Sequence, residues 1–286
     1  NYTPSAIARG MVSKSMRTVA VLTVDIRVPH YARTAYTIER EFSRRGYEVI
    51  LCNTGGDRAE TLRYLQAVNQ KQVDGIVLVG SVFDTICQGA EMEKLLTGVP
   101  VVLANGKLDL PNAYSVTVDD KYGVSLAVEH LVARGRKNIY YIKDRDTDSA
   151  KSKRDGFLEA MRRNGLEFAD HVLEAGETLA SGMETVQALL AQGVVPDGIV
   201  CGEDLTAAGA LKALLRAGLR VPEQVAVVGF NNSDYAHLCE PVLTSVDNKP
   251  EQVALLCVQL LESSIERSEA YSSVVLQPEL AQGETS

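Results

Sequence analysis

Residues 73–77, VDGIV, recur almost unchanged at residues 196–200 as PDGIV. In both copies an aspartate and a glycine follow a segment of helical period and open an apolar run of strand length. A five-residue match also arises by chance, but both copies occupy the same place in the order of predicted elements. The repeat therefore predicts two similar α/β lobes.

Outward from the two copies, short apolar runs alternate with longer segments of helical period along the chain. The predicted strands cover residues 18–24, 47–52, 75–79, 101–104, 138–142, 198–201 and 225–230. The predicted helices cover residues 31–45, 57–70, 89–96, 121–134, 150–163, 181–191 and 205–217. This alternation favours parallel sheets with helices on both faces. No Gly/Ser-rich or Pro-rich linker separates the lobes, so we expect strands that cross between them and a ligand cleft at the carboxyl ends of the strands.

Length, charge and cysteine spacing argue against several classes of protein. The 286 residues suffice for two domains, and their apolar runs are far shorter than the roughly 20 residues of a membrane span. The net charge of −8 argues against nucleic-acid binding by the globular body, because phosphate contacts need clustered Lys and Arg. The five cysteines are widely spaced and form no CxxC pair, which indicates free thiols in the reducing cytoplasm.

Enzymatic signatures are missing from the sequence. It contains no GxGxxG after the first predicted strand, no P-loop and no GxSxG. The four histidines have no partner at metal-ligand spacing, and Asp119 and Asp120 fit helix capping better than acid–base chemistry. We therefore expect neither an enzyme nor a protein that holds a cofactor or metal.

The leader differs in charge from the rest of the chain. Its only charged residues before Asp25 are Arg9, Lys14 and Arg17, all of them basic. Thr3 suits a helix N-cap and Pro4 the first helical position. A helix from Pro4 to about residue 12 would be too short to persist alone in water, where roughly 12–15 residues are marginal. The leader is therefore expected to need a partner in order to fold.

Read in order, several stretches resemble the LacI/GalR family of bacterial transcription repressors. They are VDIRVPHYA (24–32), GYEVILCNT (46–54), QVDGIVLVGS (72–81), GVPVVLAN (98–105), VTVDDKYGVSLAVEHLVARGRKNIYYI (116–142), KRDGFLEAM (153–161), GIVCGEDLTAAGALKALLRAGLRVPEQVAVVGFNN (198–232) and PVLTSVDNKPEQVA (241–254). The resemblance extends over essentially the whole chain.

The resemblance implies a fold and its domain limits. The fold is two Rossmann-like lobes with parallel sheets, of the periplasmic-binding-protein type I, joined by three crossovers near Val118, Ser245–Asn248 and Leu276–Pro278. The implied domains are a linker and hinge helix at 1–17, an N-terminal lobe at 18–117 plus 249–277, and a C-terminal lobe at 118–245 plus 279–286.

The resemblance also explains the basic leader as the family's hinge helix, which follows a helix-turn-helix headpiece that this sequence does not include. Met11 occupies the position of an apolar wedge that enters the minor groove and kinks the duplex. Arg9 and Lys14 are expected near phosphates. The alternative is a tail without a DNA role.

Effector-binding positions follow from the same resemblance. The first lobe would contribute Tyr31, Ser81 and Asn105 to the cleft, and the second lobe Lys153, Glu203 and Asn231.

Three of these positions depart from the family pattern. Lys153 replaces the usual ligand-clamping Arg, and Arg154 is the alternative inward-facing residue. Glu203 stands where Asn is common, and Asn231 where Asp is common, so the two exchanges cancel in charge. We therefore hypothesise a neutral carbohydrate or related polyol as effector.

The resulting prediction is the regulatory core of a cytoplasmic, homodimeric repressor. Its partners would be a small sugar-like effector and operator DNA, and no membrane. The alternative is a secreted solute-binding protein for sugar uptake, which shares the fold but needs an export signal instead of a DNA-binding headpiece.

Overall fold

The structure, a computed structural model, describes residues 16–267 and 272–286. Two compact units make up these residues, and each has its own sheet and core. The first unit holds the described residues up to Thr117 and those of Pro250–Leu276, and the second holds Val118–Lys249 and Gln277–Ser286.

The first unit is built on a six-stranded sheet. Its strands are β1 (Thr18–Thr23), β2 (Glu48–Asn53), β3 (Gly75–Val79), β4 (Val101–Ala104), β5 (Ala113–Val118) and β11 (Val274–Leu276). Its helices are α1 (Pro29–Arg44), α2 (Arg58–Gln70), α3 (Phe83–Ile86), α4 (Ala90–Leu96) and α10 (Pro250–Arg267). The strand order is β11-β5-β4-β3-β1-β2, and the four pairings among β1 to β5 are parallel.

The second unit repeats this plan. Its strands are β6 (Ile139–Lys143), β7 (Val172–Glu174), β8 (Gly198–Cys201), β9 (Ala226–Phe230), β10 (Thr244–Asp247) and β12 (Glu279–Ala281). Its helices are α5 (Asp120–Ala133), α6 (Asp148–Arg163), α7 (Leu179–Ala191), α8 (Asp204–Arg216) and α9 (Asp234–His237). The strand order is β12-β10-β9-β8-β6-β7.

The predicted α/β fold with two lobes is confirmed, with one correction to the expectation of parallel sheets. The edge strand β12 runs antiparallel to β10, whereas β10, β9, β8, β6 and β7 pair in parallel. A parallel neighbour needs a long covering crossover, and an antiparallel one does not. The strand β12 has only three residues and lies at the sheet edge, so it can pair with β10 in the antiparallel direction without such a crossover.

The five-residue repeat has the same structural role in both units. The Asp74 carboxylate accepts the backbone N–H groups of Met16 and Thr18 at 3.1 and 2.9 Å, which ties the beginning of β1 to β3. The Asp197 carboxylate accepts the N–H groups of Lys137 and Asn138, both at 2.9 Å, and so ties β6 to β8. The aspartate therefore sets the register of the neighbouring strand in each lobe.

How much of a strand is buried depends on its position in the sheet. All residues of β1 and of β3 are buried, as expected for central strands covered on both faces, whereas β2 lies at the edge and exposes Glu48, Leu51 and Asn53. In the second unit consecutive residues of one strand enter different cores: Val200 packs with α5 and α6, and Ile199 packs with α7 and α8. Helices therefore cover both faces of this sheet.

All five cysteines are free, and four of them are buried. No helix within residues 16–267 or 272–286 combines the length and the apolar character needed to cross a membrane.

Candidate functional site

A row of polar side chains follows the carboxyl ends of neighbouring strands in the second unit. The amide of Asn248, after β10, donates to Oδ1 of Asn231, after β9, at 2.6 Å. The Asn231 amide in turn donates to Oε2 of Glu203, after β8, at 2.6 Å. Glu203 Oε1 lies 3.9 Å from Nη2 of Arg145, after β6. The row follows the strand order, so the parallel sheet itself aligns these groups.

A buried carboxylate holds the turn that carries Asn231. Asp204 is fully buried and accepts hydrogen bonds from the Ser233 N–H at 2.6 Å, the Ser233 hydroxyl at 2.8 Å and the Ser245 hydroxyl at 2.6 Å. Asn231 and Asn232 have φ of 95° and 46°, in the left-handed region that few residues other than Gly and Asn adopt. Burial raises the pKa of Asp204 to about 7, although its hydrogen bonds with Ser245 and Ser233 oppose the shift.

Lys153 is the inward-facing basic residue of α6. Its Nζ donates to the Gly202 carbonyl at 2.9 Å and lies 3.8 Å from the centroid of the Phe230 ring. Arg154 points away and forms an ion pair with the Asp155 carboxylate at 2.7 Å. Of the two residues left open by the sequence, the structure thus turns Lys153 toward the strand ends.

Sequence reasoning missed Asp144 and Arg145, which follow β6. The Asp144 side chain is only 4% exposed, and its Oδ2 lies 3.7 Å from Nε of Arg145. Burial raises the pKa of Asp144 to about 6; the Glu203 carboxylate adds to the rise, and Lys153 and Arg145 oppose it. The signal for both residues was their position directly after a predicted strand, in the charged run KDRDTD (143–148).

Asn248 and Asp120 were also not singled out as site residues. Asn248 is buried and begins the amide row, and Asp120 Oδ2 accepts the Ser149 hydroxyl at 2.5 Å. Burial raises the pKa of Asp120, and the nearby Lys153 ammonium opposes that rise. Asp119 caps α5 through the Tyr122 N–H at 2.9 Å, so the capping interpretation of the pair holds for Asp119 alone.

The first-unit candidates lie near the ends of β3 and β4. Tyr31 of α1 is buried, and an ideal Cβ on Gly80 would lie 2.9 Å from its ring, so the ring packs directly on the chain before Ser81. Asn105 directly follows β4 with φ of 56°. The Asn105 Oδ1 is buried and makes no hydrogen bond within the described chain. Ligand contact by Tyr31, Ser81 and Asn105 stays a prediction.

The three hinge candidates, Arg9, Met11 and Lys14, lie outside the described residues. Over the described ranges, His, Cys, Asp and Glu side chains form no cluster of three suited to a metal ion. The second unit instead gathers three carboxyl groups and two cationic groups at its strand ends, which are Asp120, Asp144, Glu203, Lys153 and Arg145.

Comparisons with known proteins identify the family. The model of the periplasmic binding protein-like domain matches residues 128–286. An HTH-type transcriptional regulator from Lachnoclostridium phytofermentans is 32% identical over 263 residues, which cover 91% of this chain and 79% of the relative. Catabolite control protein A from Priestia megaterium is 32% identical over 282 residues, which cover 97% of this chain and 83% of the relative. The chain belongs to the LacI family of transcriptional regulators.

A solved structure supports the same assignment. The transcriptional regulator CelR in complex with cellobiose superposes with a TM-score of 0.81 at 25% identity, covering 99% of this chain and 92% of CelR. The predicted type I periplasmic-binding-protein fold is confirmed, as is the class of ligand-responsive transcriptional regulator. The alternative of a solute-binding protein for sugar uptake is not supported, because the relatives named here regulate transcription.

Proposed function

We propose that this LacI-family chain is the regulatory region of a repressor whose effector is a hydroxyl-rich, carbohydrate-like molecule. The observation that carries the proposal is the row Asn248–Asn231–Glu203–Arg145 at the strand ends of the second unit. Amide and carboxylate groups at successive positions offer both donors and acceptors, which is what sugar hydroxyls require.

The charges at and around these strand ends disfavour an anionic effector. Asp120, Asp144 and Glu203 outnumber Lys153 and Arg145, so a phosphate would meet more negative than positive charge. Lys153 is buried, and its ammonium already donates to the Gly202 carbonyl. A neutral polyol avoids this repulsion, and the CelR complex with cellobiose is a precedent within the family.

Asn231 has less capacity for direct hydrogen bonds to a ligand than the family resemblance implies. Its Oδ1 accepts from Asn248 and its Nδ2 donates to Glu203, so much of its hydrogen-bonding capacity is already used. Asn231 therefore orients Glu203, and Glu203 is the stronger candidate for direct contact with a ligand hydroxyl.

The remaining partners belong to the same proposal. The protein acts in the cytoplasm as a homodimer without catalysis, and residues 1–17 connect the two lobes, at 18–117 plus 249–277 and 118–245 plus 279–286, to operator DNA. Arg9 and Lys14 approach phosphates, and Met11 enters the minor groove. Ligand binding changes DNA affinity by as much as the ligand's affinity differs between the DNA-bound and free conformations.

A ligand screen tests the proposed effector class. Thermal melting is followed with cellobiose, ribose, glucose, glucose 6-phosphate, adenine and an amino-acid mixture, each present in excess. We expect at least one neutral sugar to raise the melting temperature, because a ligand that binds only the folded state stabilises it. Stabilisation by adenine or amino acids and by no sugar would contradict the carbohydrate assignment.

A matched pair of variants tests whether the sugar binds at the polar row. Glu203→Gln keeps an acceptor for Asn231 but removes the charge, and it should weaken sugar binding about tenfold or more. Glu223→Gln removes an exposed carboxylate that precedes β9, at the opposite end of that strand, and should bind as the unchanged protein does. Equal affinities of the two variants would argue against the row as the ligand site.

DNA binding is measured with the protein as its gene encodes it. The operator is identified by selecting duplexes that the protein binds from a random pool. The sugar that raises the melting temperature should change the protein's affinity for these duplexes in a gel mobility-shift assay. Failure to select any duplex would contradict the proposed role of residues 1–17.

A further inference from the structure

We infer that Tyr141 and Asp144 form a hydroxyl-binding subsite at the carboxyl end of β6, which makes them specificity-determining residues for the effector. The inference rests on the proposed function, since it assumes a polyol at these strand ends. Both residues lie outside the polar row, and the functional group of the ligand that they bind is a hydroxyl.

Tyr141 carries a buried hydroxyl without a partner. Its side chain is fully buried, and its ring stacks on Phe157 with centroids 5.4 Å apart. The Tyr141 Oη forms no hydrogen bond with any part of the described chain. A buried phenol normally finds a partner, because leaving its hydroxyl unsatisfied is costly.

Asp144 places an acceptor close to that hydroxyl. An ideal Cβ built on Gly202 would lie 2.6 Å from Asp144 Oδ1 and 3.1 Å from Tyr141 Oη. The two oxygens are therefore no further apart than the sum of these distances, and both border the strand end at Gly202. Asp144 Oδ2 is buried and accepts no hydrogen bond from the described residues.

The absence of a side chain at residue 202 makes room for these oxygens, which a Cβ there would crowd. Gly202 directly precedes Glu203, and its carbonyl accepts from the Lys153 ammonium at 2.9 Å. Arg145 lies between Asp144 and Glu203, with Nε 3.7 Å from Asp144 Oδ2 and Nη2 3.9 Å from Glu203 Oε1. The subsite is thus continuous with the polar row.

The Tyr141 phenol lacks an acceptor and Oδ2 of the neighbouring Asp144 lacks a donor, and together these two groups suit a hydroxyl group. A ligand hydroxyl donates its proton to Asp144 and accepts the proton of the Tyr141 phenol. An ether oxygen cannot donate, and a protonated amine cannot accept. A phosphate is repelled by the carboxylates of Asp144 and Glu203. The expected effector therefore presents a free hydroxyl here, and its deoxy analogue binds more weakly.

The decisive variant is Tyr141→Phe, with Tyr140→Phe as its matched control. Tyr140 is the preceding residue of β6, and its ring stacks on His171 instead, with centroids 4.3 Å apart. Removing an unsatisfied hydroxyl from Tyr141 should leave the melting temperature unchanged or higher. Calorimetric titration with cellobiose, ribose and glucose should nevertheless show affinity lower by roughly 3- to 10-fold in Tyr141→Phe and unchanged in Tyr140→Phe.

A second variant and a deoxy-sugar series complete the test. Asp144→Asn keeps the shape of the side chain but removes its charge, and should weaken binding by roughly 10- to 100-fold. For the monodeoxy sugar that lacks the contacting hydroxyl, Tyr141→Phe should cause no further loss, because the partner of the phenol is already gone.

The outcomes separate this inference from the function on which it rests. If no sugar binds the unchanged protein, both fail. If a sugar binds and neither Tyr141→Phe nor Asp144→Asn changes its affinity, only the subsite is overturned. A marked fall in the melting temperature of Tyr141→Phe would show that the phenol has a structural partner, and would also overturn it.

Discussion

At the scale of single residues, Asp204 is the buried group on which the shape of the site depends most. It accepts three hydrogen bonds, two from Ser233 and one from Ser245, and the Ser245 hydroxyl accepts the Asn232 N–H at 2.9 Å. The turn at 231–233 is thereby joined to both α8 and β10. Because Asn231 stands in this turn, the orientation of Glu203 depends on a fully buried carboxylate.

Removing that carboxylate should destabilise the protein strongly. Asp204→Ala leaves the Ser233 N–H and two hydroxyls without a buried acceptor, which we expect to lower the free energy of unfolding by about 2–4 kcal/mol. Ser245→Ala removes two hydrogen bonds, one to Asp204 and one from the Asn232 N–H, and should cost less, about 1–2 kcal/mol. Urea denaturation followed by circular dichroism measures both changes. Equal losses in the two variants would contradict the role assigned to Asp204.

The buried carboxyl groups also predict how stability changes with pH. Burial raises the pKa of Asp144 to about 6 and that of Asp204 to about 7, above the usual value of about 3.9 in an unfolded chain. Burial lowers the pKa of His130 to about 4, which acts in the opposite direction, but the two carboxyl groups outweigh this one imidazole. The folded protein therefore holds more protons than the unfolded one between about pH 4 and 7, so its free energy of unfolding should fall as pH rises through this range.

Unfolding in urea at pH 5 and pH 8 checks the direction of this change. Asp144→Asn should show a smaller fall than the unchanged protein, because one titrating group is gone. Asp170→Asn, at an exposed position, should show the same fall as the unchanged protein. A stability that rises with pH over this interval would rule the prediction out.

At the scale of elements, two helices of the second unit approach each other closely through glycines. A Cβ on Gly209 of α8 would overlap the backbone carbonyl of Leu179 in α7, and a Cβ on Gly182 of α7 would overlap that of Thr206 in α8. The reciprocal arrangement brings the two backbones together without side chains between them. Since α8 begins at Asp204, this contact helps to fix the helix that follows Glu203.

Gly209→Ala should disturb this helix pair. The added methyl group forces α7 and α8 apart, at an expected cost of about 1–3 kcal/mol of unfolding free energy. Gly98→Ala is the control, because its Cβ would meet no atom within 4 Å. It should be neutral or stabilising by about 0.4–1 kcal/mol. Thermal melting that ranks the two variants in the opposite order would contradict the close contact.

At the scale of the whole molecule, neither unit is built from one continuous stretch of chain. The first unit takes α10, and Leu261 of that helix is buried where a Cβ on Gly75 would lie 2.7 Å from its Cδ1. The second unit takes Thr285, whose hydroxyl donates to the Val227 carbonyl at 2.7 Å and accepts the Thr244 N–H at 2.9 Å. Each unit is therefore completed by residues that follow Lys249.

A chain that ends at Lys249 should consequently fail to fold. It loses α10 from one unit and β12 from the other, which leaves apolar surface and backbone groups of both sheets uncovered. Leu261→Ala in the full chain is the milder comparison, and it should fold with a loss of about 2–5 kcal/mol. Circular dichroism and gel filtration measure the outcome. A truncated chain that melts cooperatively would refute the requirement.

Regular patterns in the sequence determined the architecture. The two DGIV runs mark equivalent strands, and the alternation of strands and helices predicts the paired α/β lobes that the structure contains. The predicted helix at 57–70 is α2, and Asp57 at its start is the N-cap, which accepts the Glu60 N–H at 2.8 Å. These features succeed because periodicity and capping depend on residues only a few positions apart.

Several elements escaped the sequence analysis. The 18-residue helix α10, the strands β5 and β10 and the three-residue edge strands were not assigned individually. Short strands carry too few residues for a period to show, and their apolar side chains are buried by partners from distant parts of the chain. The sequence alone therefore established the class of fold but not every one of its strands and helices.

The functional groups were decided by tertiary structure. The family resemblance pointed toward Glu203 and Asn231, but only folding brings Asn248, Asn231 and Glu203 into one hydrogen-bonded row. The choice of Lys153 over Arg154, and the meeting of Tyr141 with Asp144 beside Gly202, likewise depend on how α6 packs against the sheet. The sequence determines which residues end each strand, whereas the order and spacing of the strands determine which of those residues meet, because partners far apart along the chain become neighbours only in the sheet.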